Sequence, residues 1–361
     1  MKLTFPHIGN MYIPLRHFLT RLGHQVICPP PSTERTIGIG SKYAPEFACY
    51  PLKLTLGNIL ESIERGADRV LMAGGIGPCR FGFYAQLQRV LVNAIGHEVE
   101  FIILEPPAAG IGRTLNALRK LLNRASPRAI VEAAKGSWYK CVIIDELERR
   151  AALLRAIEAS PGLTDKVLEQ CLRKVDSATE LKEISETEAY CDHAFRSIPL
   201  TGIRGRHTVV GIIGEIFMVL DGFSNRWLER RLGRLKSQVV RYIRASEWLK
   251  SNILPWLWHS ASEDQLVRAA APYTAAFFGG HGRETVGGAA LMSQNGVDGL
   301  IHVMPFTCMP EIAASAMLTR TEHDYGVPIM RLSLDEHTAD AGLQTRLEAF
   351  VDMLAHRGDR Q

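Results

Sequence analysis

The stretch DRVLMAGGIGPCRFGFYAQLQRVLVNAIG, residues 68–96, decides the reading of this chain. Its apolar run RVLMA (69–73) has the length of a buried strand and lacks the alternation of a half-exposed one. Gly74, Gly75, Gly77 and Pro78 stop that run. FYAQLQRVLVNAIG (83–96) repeats its apolar residues at helical spacing and ends on Gly96. A second apolar run, EVEFIILEPP (98–107), follows. Strand, glycine turn, helix and strand are the parts of a parallel sheet covered by helices. Cys79 lies in the turn, where a thiol packs little core.

Working outward, the same rhythm continues. KLTFPHI (2–8) and HQVICPP (24–30) read as strands, PLRHFLTRLG (14–23) and TLGNILESIERG (55–66) as helices. From Pro127 to Ile198 the pattern changes to long amphipathic helices. The α/β rhythm then returns with strands at HTVVGIIGEI (207–216), QVVRYIRAS (238–246), GLIHVMPF (299–306) and PIMRLSL (328–334). Helices are expected at NRWLERRLG (225–233), EWLKSNILPWLWHS (247–260), PEIAASAMLTRTEHDYG (310–326) and AGLQTRLEAFVDMLAHR (341–357). The expected fold is α/β: two doubly wound parallel-sheet lobes, 1–126 and 201–361, with a helical segment, 127–200, between them.

Composition narrows the classes. The chain has 361 residues, 46% apolar and 22% charged, as a globular protein has. Its 42 basic and 38 acidic residues leave a net charge of +4, too small and too dispersed to argue for nucleic acid. RWLERRLGRLKSQ (226–238) reads as a solvated helix face. The most apolar run, HTVVGIIGEIFMVLDGF (207–223), is broken by Glu215 and Asp221, so no membrane span is expected. MKLTFPHIGNMYIPL lacks the apolar core of a secretory signal, and the expected location is cytoplasmic. Seven cysteines in a chain of this length do not suggest a disulfide framework.

Three cysteines keep similar company: EFACYPLK (46–53), GGIGPCRFGFY (74–84) and VMPFTCMPE (303–311). Cys79 and Cys308 follow apolar strands, where ligands collect in open parallel sheets, and a cleft between two lobes would gather all three. Rigid proline and glycine turns can aim backbone amides at a sulfur ligand. Three readings stay open from the residues alone: metal ligands, a thiolate favoured by Arg80, or small buried apolar residues. No C-x-x-C pair occurs. Cys141, Cys171 and Cys191 fall in helical patterns and Cys28 at a strand end, so these are read as core. The glycine runs IGIGSK (37–42), AAGIGRT (108–114) and GGHGRE (279–284) read as turns, none being a full phosphate loop.

Other residues stand near these turns. Lys53 and Arg80 adjoin the cysteines and would offset the charge of a thiolate cluster. His281, Arg283 and Glu284 lie where a loop meets a helix start, a place for an anion. Glu215, at a strand end, is a candidate proton donor, with helix capping as its competing role. DEHT (335–338) reads as a strand end and helix cap.

CYPLKLTLGN (49–58), GGIGPCRFGFY (74–84), GEIFMVLDGFSN (214–225), GGHGRETVGGAALM (279–292), HVMPFTCMPEI (302–312) and LSLDEHTADAGLQTRLEAF (332–350) occur in this order. Together they resemble the CoA-protein activase family, also labelled activator of 2-hydroxyacyl-CoA dehydratase. That family is related to the iron–sulfur subunits of these dehydratases and to double-cubane cluster proteins. The resemblance implies that Cys49, Cys79 and Cys308 are ligands of an iron–sulfur cluster. The cluster would be a 4Fe-4S cube, or half of a double cubane shared with a partner chain. It implies electrons received at low potential from a separate ATP-dependent activase of the actin/Hsp70/sugar-kinase fold. A related subunit in a homo- or hetero-oligomer and a small-molecule substrate complete the expectation, for a reductase or dehydratase-like component. Two alternatives are an electron-relay or scaffold subunit and an ATP-binding activase. Against the last, DYGVP (324–328) puts proline where a D-x-G-x-[ST] loop needs a hydroxyl.

Overall fold

The computed structural model describes residues 2–75, 77–106, 109–201, 207–253 and 261–358. The expected helix at 247–260 and the AAGIGRT run therefore lie partly outside the described residues. Contacts divide the chain into two units, Met1–Lys140 and Cys141–Gln361.

The first unit runs β1 (Lys2–Thr4), α1 (Tyr12–Arg21), β2 (Gln25–Val26), α2 (Glu34–Tyr43), α3 (Tyr50–Glu64), β3 (Arg69–Ala73), α4 (Phe81–Ala94), β4 (Glu100–Leu104) and α5 (Ile111–Leu122). The division between units falls within the next helix, α6 (Pro127–Leu154). The sheet order is β2-β1-β3-β4, every pairing parallel. After β2 the chain crosses back past β1, so the topological switch lies between β1 and β3. Leu3, Phe5, Leu19, Leu71 and Ile102 fill one side of the core.

Helix α3 is the core helix of this unit, buried from Tyr50 through Ser62. A helix buried all round must satisfy its polar side chains internally. Glu61 accepts from Thr36 Oγ1 at 2.6 Å and Arg35 Nη1 at 2.7 Å, and Gln88 Nε2 donates to Thr55 Oγ1 at 2.7 Å. The IGIGSK run is helical here, not a turn. Thr33 caps α2 through a reciprocal capping box with Thr36. The glycines serve contact between helices: a Cβ on Gly40 would lie 1.8 Å from Lys53 O, and one on Gly57 would lie 2.0 Å from Thr36 O.

The second unit contains α7 (Leu163–Ser177), α8 (Leu181–Arg196), β5 (Val209–Gly214), α9 (Ile216–Leu220), α10 (Leu228–Arg234), β6 (Gln238–Arg241), α11 (Ala245–Ile253) and α12 (Ala261–Ala270). It ends with α13 (Gly282–Gln294), β7 (Gly299–Pro305), α14 (Met309–Tyr325), β8 (Ile329–Leu334) and α15 (Asp340–Gly358). Its sheet is also fully parallel, in the order β6-β5-β7-β8. Numbered within each unit, both sheets have the order 2-1-3-4. The expected α/β class with parallel sheets is what the structure has.

The last half of α6 is fastened to β6 and α11. Asp145 accepts from Ala245 N at 3.1 Å and Ser246 N at 2.8 Å, capping α11. Glu148 pairs with Arg241 at 2.6 Å, and Arg241 also meets Glu229 at 3.0 Å. These carboxylates hold the buried guanidinium firmly protonated, against the cost of burial. β6 accordingly stops at Arg241, short of the expected 238–246. Among the described residues, no helix is long and apolar enough to cross a membrane.

Candidate functional site

Two helices begin with the same device. Cys49 is the residue before α3 and Cys308 the residue before α14; both are extended, and both are followed two residues later by proline, Pro51 and Pro310. Proline suits the first turn, whose N–H groups have no intrahelical acceptor. Neither cysteine makes a side-chain capping bond to its helix. The remaining first-turn amides and the positive end of the helix dipole suit an anionic sulfur ligand. Cys79 stands two residues before α4, in the glycine turn after β3. Cys79 and Cys308 thus both leave the carboxyl end of the third strand of their sheet, beside its switch point.

In the first unit, the Cys49 and Cys79 segments are brought together. Arg80 Nη1 donates to Phe47 O at 2.7 Å, tying the Cys79 turn to the chain two residues before Cys49. The Tyr84 hydroxyl hydrogen-bonds the Cys49 sulfur, and Phe81 meets the Tyr84 ring edge-on. Beneath Cys49 the support is apolar: Leu52, Met72, Tyr84 and Ala85. Lys53 is buried in the first turn of α3. A cavity of about 440 Å³ opens beside Cys79, bounded by Gly75, Gly82, Phe83, Glu105 and Arg113. Arg113 lies 3.4 Å from Glu105 there. A cavity of about 550 Å³ at Asn93–Val99 lies before β4, at the end of the sheet remote from the cysteine turns.

In the second unit, β5 ends at Gly214, whose φ is +135° and where a Cβ would lie 1.9 Å from Val303 O. Glu215 follows as the cap of α9, accepting from Met218 N at 3.0 Å. Burial first, and then the charge of Glu311, push its carboxyl up to about 7 although its backbone amide donors oppose this. Gly214 O accepts from Tyr242 at 3.2 Å and from Thr285 at 3.4 Å. Thr285 also reaches Glu311 at 3.2 Å, and His302 Nε2 lies 2.8 Å from the other Glu311 oxygen. Burial, then Glu311, drive the Tyr242 hydroxyl well above its ordinary value. His281 precedes α13 and Glu284 lies in its first turn. Arg283 stays near Glu284 at 3.8 Å and over the Phe277 ring at 5.9 Å.

Cys141, Cys171 and Cys191 are buried in α6, α7 and α8, and Cys28 packs at the edge of the first unit's core. Among the described residues, no group of three or more His, Cys, Asp or Glu is gathered to hold a metal ion. The sequence reading passed over Tyr84, Glu105, Tyr242, Thr285, His302 and Glu311. One signal was available for two of them: a histidine inside the apolar run LIHVMP, followed nine residues later by an acid in the next helix start.

Two family models match the chain. The CoA enzyme activase uncharacterised domain matches residues 7–73, covering α1 to β3 and Cys49. The 2-hydroxyglutaryl-CoA dehydratase D-component matches residues 288–354, covering β7, Cys308 and α14. Over these two segments the chain is similar to CoA-activase and dehydratase-component proteins. Each match contains one of the two Cys-x-Pro helix starts. A search of curated proteins returned no significant match.

Proposed function

We propose that this protein is an iron–sulfur component that receives low-potential electrons from a separate ATP-dependent activase and acts as a reductase or dehydratase-like unit. The observation that carries this reading is the repeated Cys-x-Pro helix start, one in each matched segment. The donor set fits the group: thiols at helix starts, with amides that can donate to sulfur. Cys49, Cys79 and Cys308 would supply the thiolates of a 4Fe-4S cube, or of half a double cubane completed by a related subunit. When bound, such a cluster supplies single-electron chemistry at low potential.

The chain's own residues would do the rest. Arg80 and Tyr84 hold the Cys49 segment in register with the Cys79 turn. Lys53, Arg80 and Arg283 would bring positive charge to the ligand turns, and Glu215 would hold a proton at the end of β5. The cavity beside Cys79 favours a small-molecule substrate over a sealed relay. Lobes at 1–126 and 201–361 around a helical segment at 127–200, and a cytoplasmic location, complete the reading.

A second reading, an ATP-binding activase, is favoured by the description of the family that matches residues 7–73. Anaerobic purification with iron and sulfide analysis, followed by nucleotide titration of the same sample, separates the two. The first reading requires bound iron and no Mg²⁺-dependent ATP turnover; an iron-free chain that hydrolyses ATP would replace it with the second.

A further inference from the structure

We propose that Glu311 and His302 are positioning residues for Cys308: their buried pair, joined to Thr285 and Tyr242, locks the start of α14 to the sheet and sets a carboxylate one helical turn from the thiol. This inference rests on the reading of Cys308 as a cluster ligand.

The argument begins with His302, in the middle of apolar β7 and wholly buried. A buried imidazole is costly unless it is partnered. Its Nε2 lies 2.8 Å from Glu311, while its buried Nδ1 has no hydrogen-bond partner among the described residues. A proton on Nδ1 would be a stranded donor, so Nε2 carries it and donates to the Glu311 carboxylate.

Glu311 is the third residue of α14. A glutamate there ordinarily folds back to the amide of the residue before the helix. Here the Cys308 N–H goes instead to Pro305 O at 3.1 Å, and the carboxylate turns inward to His302 and Thr285. The capping residue has become a strut between helix and sheet. Thr285 and Tyr242 extend that strut to the Gly214 carbonyl, so β5, β7, α13 and α14 meet in one network. Apolar residues would hold these elements together at less cost in desolvation. At the corresponding place in α3, three residues after Cys49, the chain has Leu52 in an apolar cluster. A carboxylate one turn from Cys308, where Cys49 has a leucine at the matching place, is a difference that can tune one ligand electrostatically.

The test uses Glu311→Gln and Glu311→Ala in the full chain. Glutamine keeps an oxygen to accept from His302 and an amide N–H that can donate to the Thr285 hydroxyl, without the charge; alanine removes both. The first readout is amide hydrogen exchange of the peptide 306–315 in iron-free protein. Glu311→Ala is expected to exchange about tenfold faster, the effect of losing one or two net hydrogen bonds, and Glu311→Gln to restore wild-type protection. The second readout is the midpoint potential of the iron-loaded protein. Glu311→Gln is expected to raise it at unchanged iron content. Wild-type exchange in Glu311→Ala, or a wild-type potential in Glu311→Gln, would overturn the proposal. If the alanine variant does not fold, His302→Gln replaces it in the exchange measurement under the same criterion. If the wild type binds no iron, the cluster reading fails by itself, and the exchange measurement alone decides whether the pair positions the turn.

Discussion

The helix starts CYPL (49–52) and CMPE (308–311) make an informative comparison. Both follow the same backbone plan, with an extended cysteine, one intervening residue and a proline in the first turn. Both belong to sheets of the same strand order. They part at the fourth residue. Leu52 is packed among Met72, Tyr84 and Ala85, and the Tyr84 hydroxyl reaches the thiol. Glu311 is held by His302 and Thr285 in a polar network. Topology therefore accounts for where a thiol is presented, and the residue three positions on distinguishes apolar from polar support beneath it. The pattern survives in two surroundings because proline and the helix start specify local backbone geometry, whatever packs beneath.

The comparison can be broken most strongly at Gly214. Gly214→Ala puts a Cβ against Val303 O at a backbone angle alanine resists, and should cost about 4 kcal/mol or more in urea unfolding of the second unit. An effect below about 1 kcal/mol would show that β5 and β7 do not need this close approach. Leu52→Ala should cost about 3 kcal/mol in the first unit through cavity formation, with little dependence on pH. A pH-dependent loss there would erase the distinction between apolar and polar support.

Acid should separate the units in sign. His17, buried against α6 with Lys140, Arg21 and Arg16 nearby, is held down at about 4 from an ordinary 6.5, chiefly by desolvation. The fold favours its neutral form, so this stability is complete above pH 6.5 and is lost as pH falls toward 4. Glu215 is pushed from 4.5 to about 7, so its contribution is present below pH 4.5 and is lost as pH rises toward 7. Each effect is up to about 3 kcal/mol. Between pH 4.5 and 6.5, native-state hydrogen exchange should therefore show the first unit gaining protection with pH and the second losing it. His17→Gln and Glu215→Gln should flatten the respective slopes; parallel slopes in the wild type would contradict the assignment. The smallest effect belongs to Tyr84→Phe, about 1 kcal/mol in the first unit by thermal unfolding. A loss as large as that of Leu52→Ala would mean that the hydroxyl, not the apolar cluster, supports the thiol.

The strands were legible because buried parallel strands are continuous apolar runs, as RVLMA and GLIHVMP are. The two Cys-x-Pro helix starts were legible for a similar reason: their geometry is local. Helix α2 was not, because Gly38 and Gly40 look like turn residues until α3 is seen pressed against them. The early end of β6 was also hidden, since it depends on Asp145, about a hundred residues away, capping α11. The His302–Glu311 pair escaped for the same reason as α2. Its members come from different elements, and although His302, Thr285 and Glu311 lie in motifs that drew attention, nothing local shows that they meet. Arg80 was read as charge beside a ligand; its hydrogen bond to Phe47 O shows a positioning contact as well.

The central claim is that Cys49, Cys79 and Cys308 are iron ligands and that Cys141, Cys171 and Cys191, buried in helices, are not. The most direct measurement is iron and sulfide content, with the EPR spectrum of the reduced protein, for anaerobically prepared wild type and six single Cys→Ser variants. The account predicts an iron–sulfur signal in the wild type, its loss or marked change in Cys49→Ser, Cys79→Ser and Cys308→Ser, and wild-type iron in the other three. Folded wild type without iron, or loss of iron in a folded Cys141→Ser, Cys171→Ser or Cys191→Ser variant with retention in the first three, would contradict it.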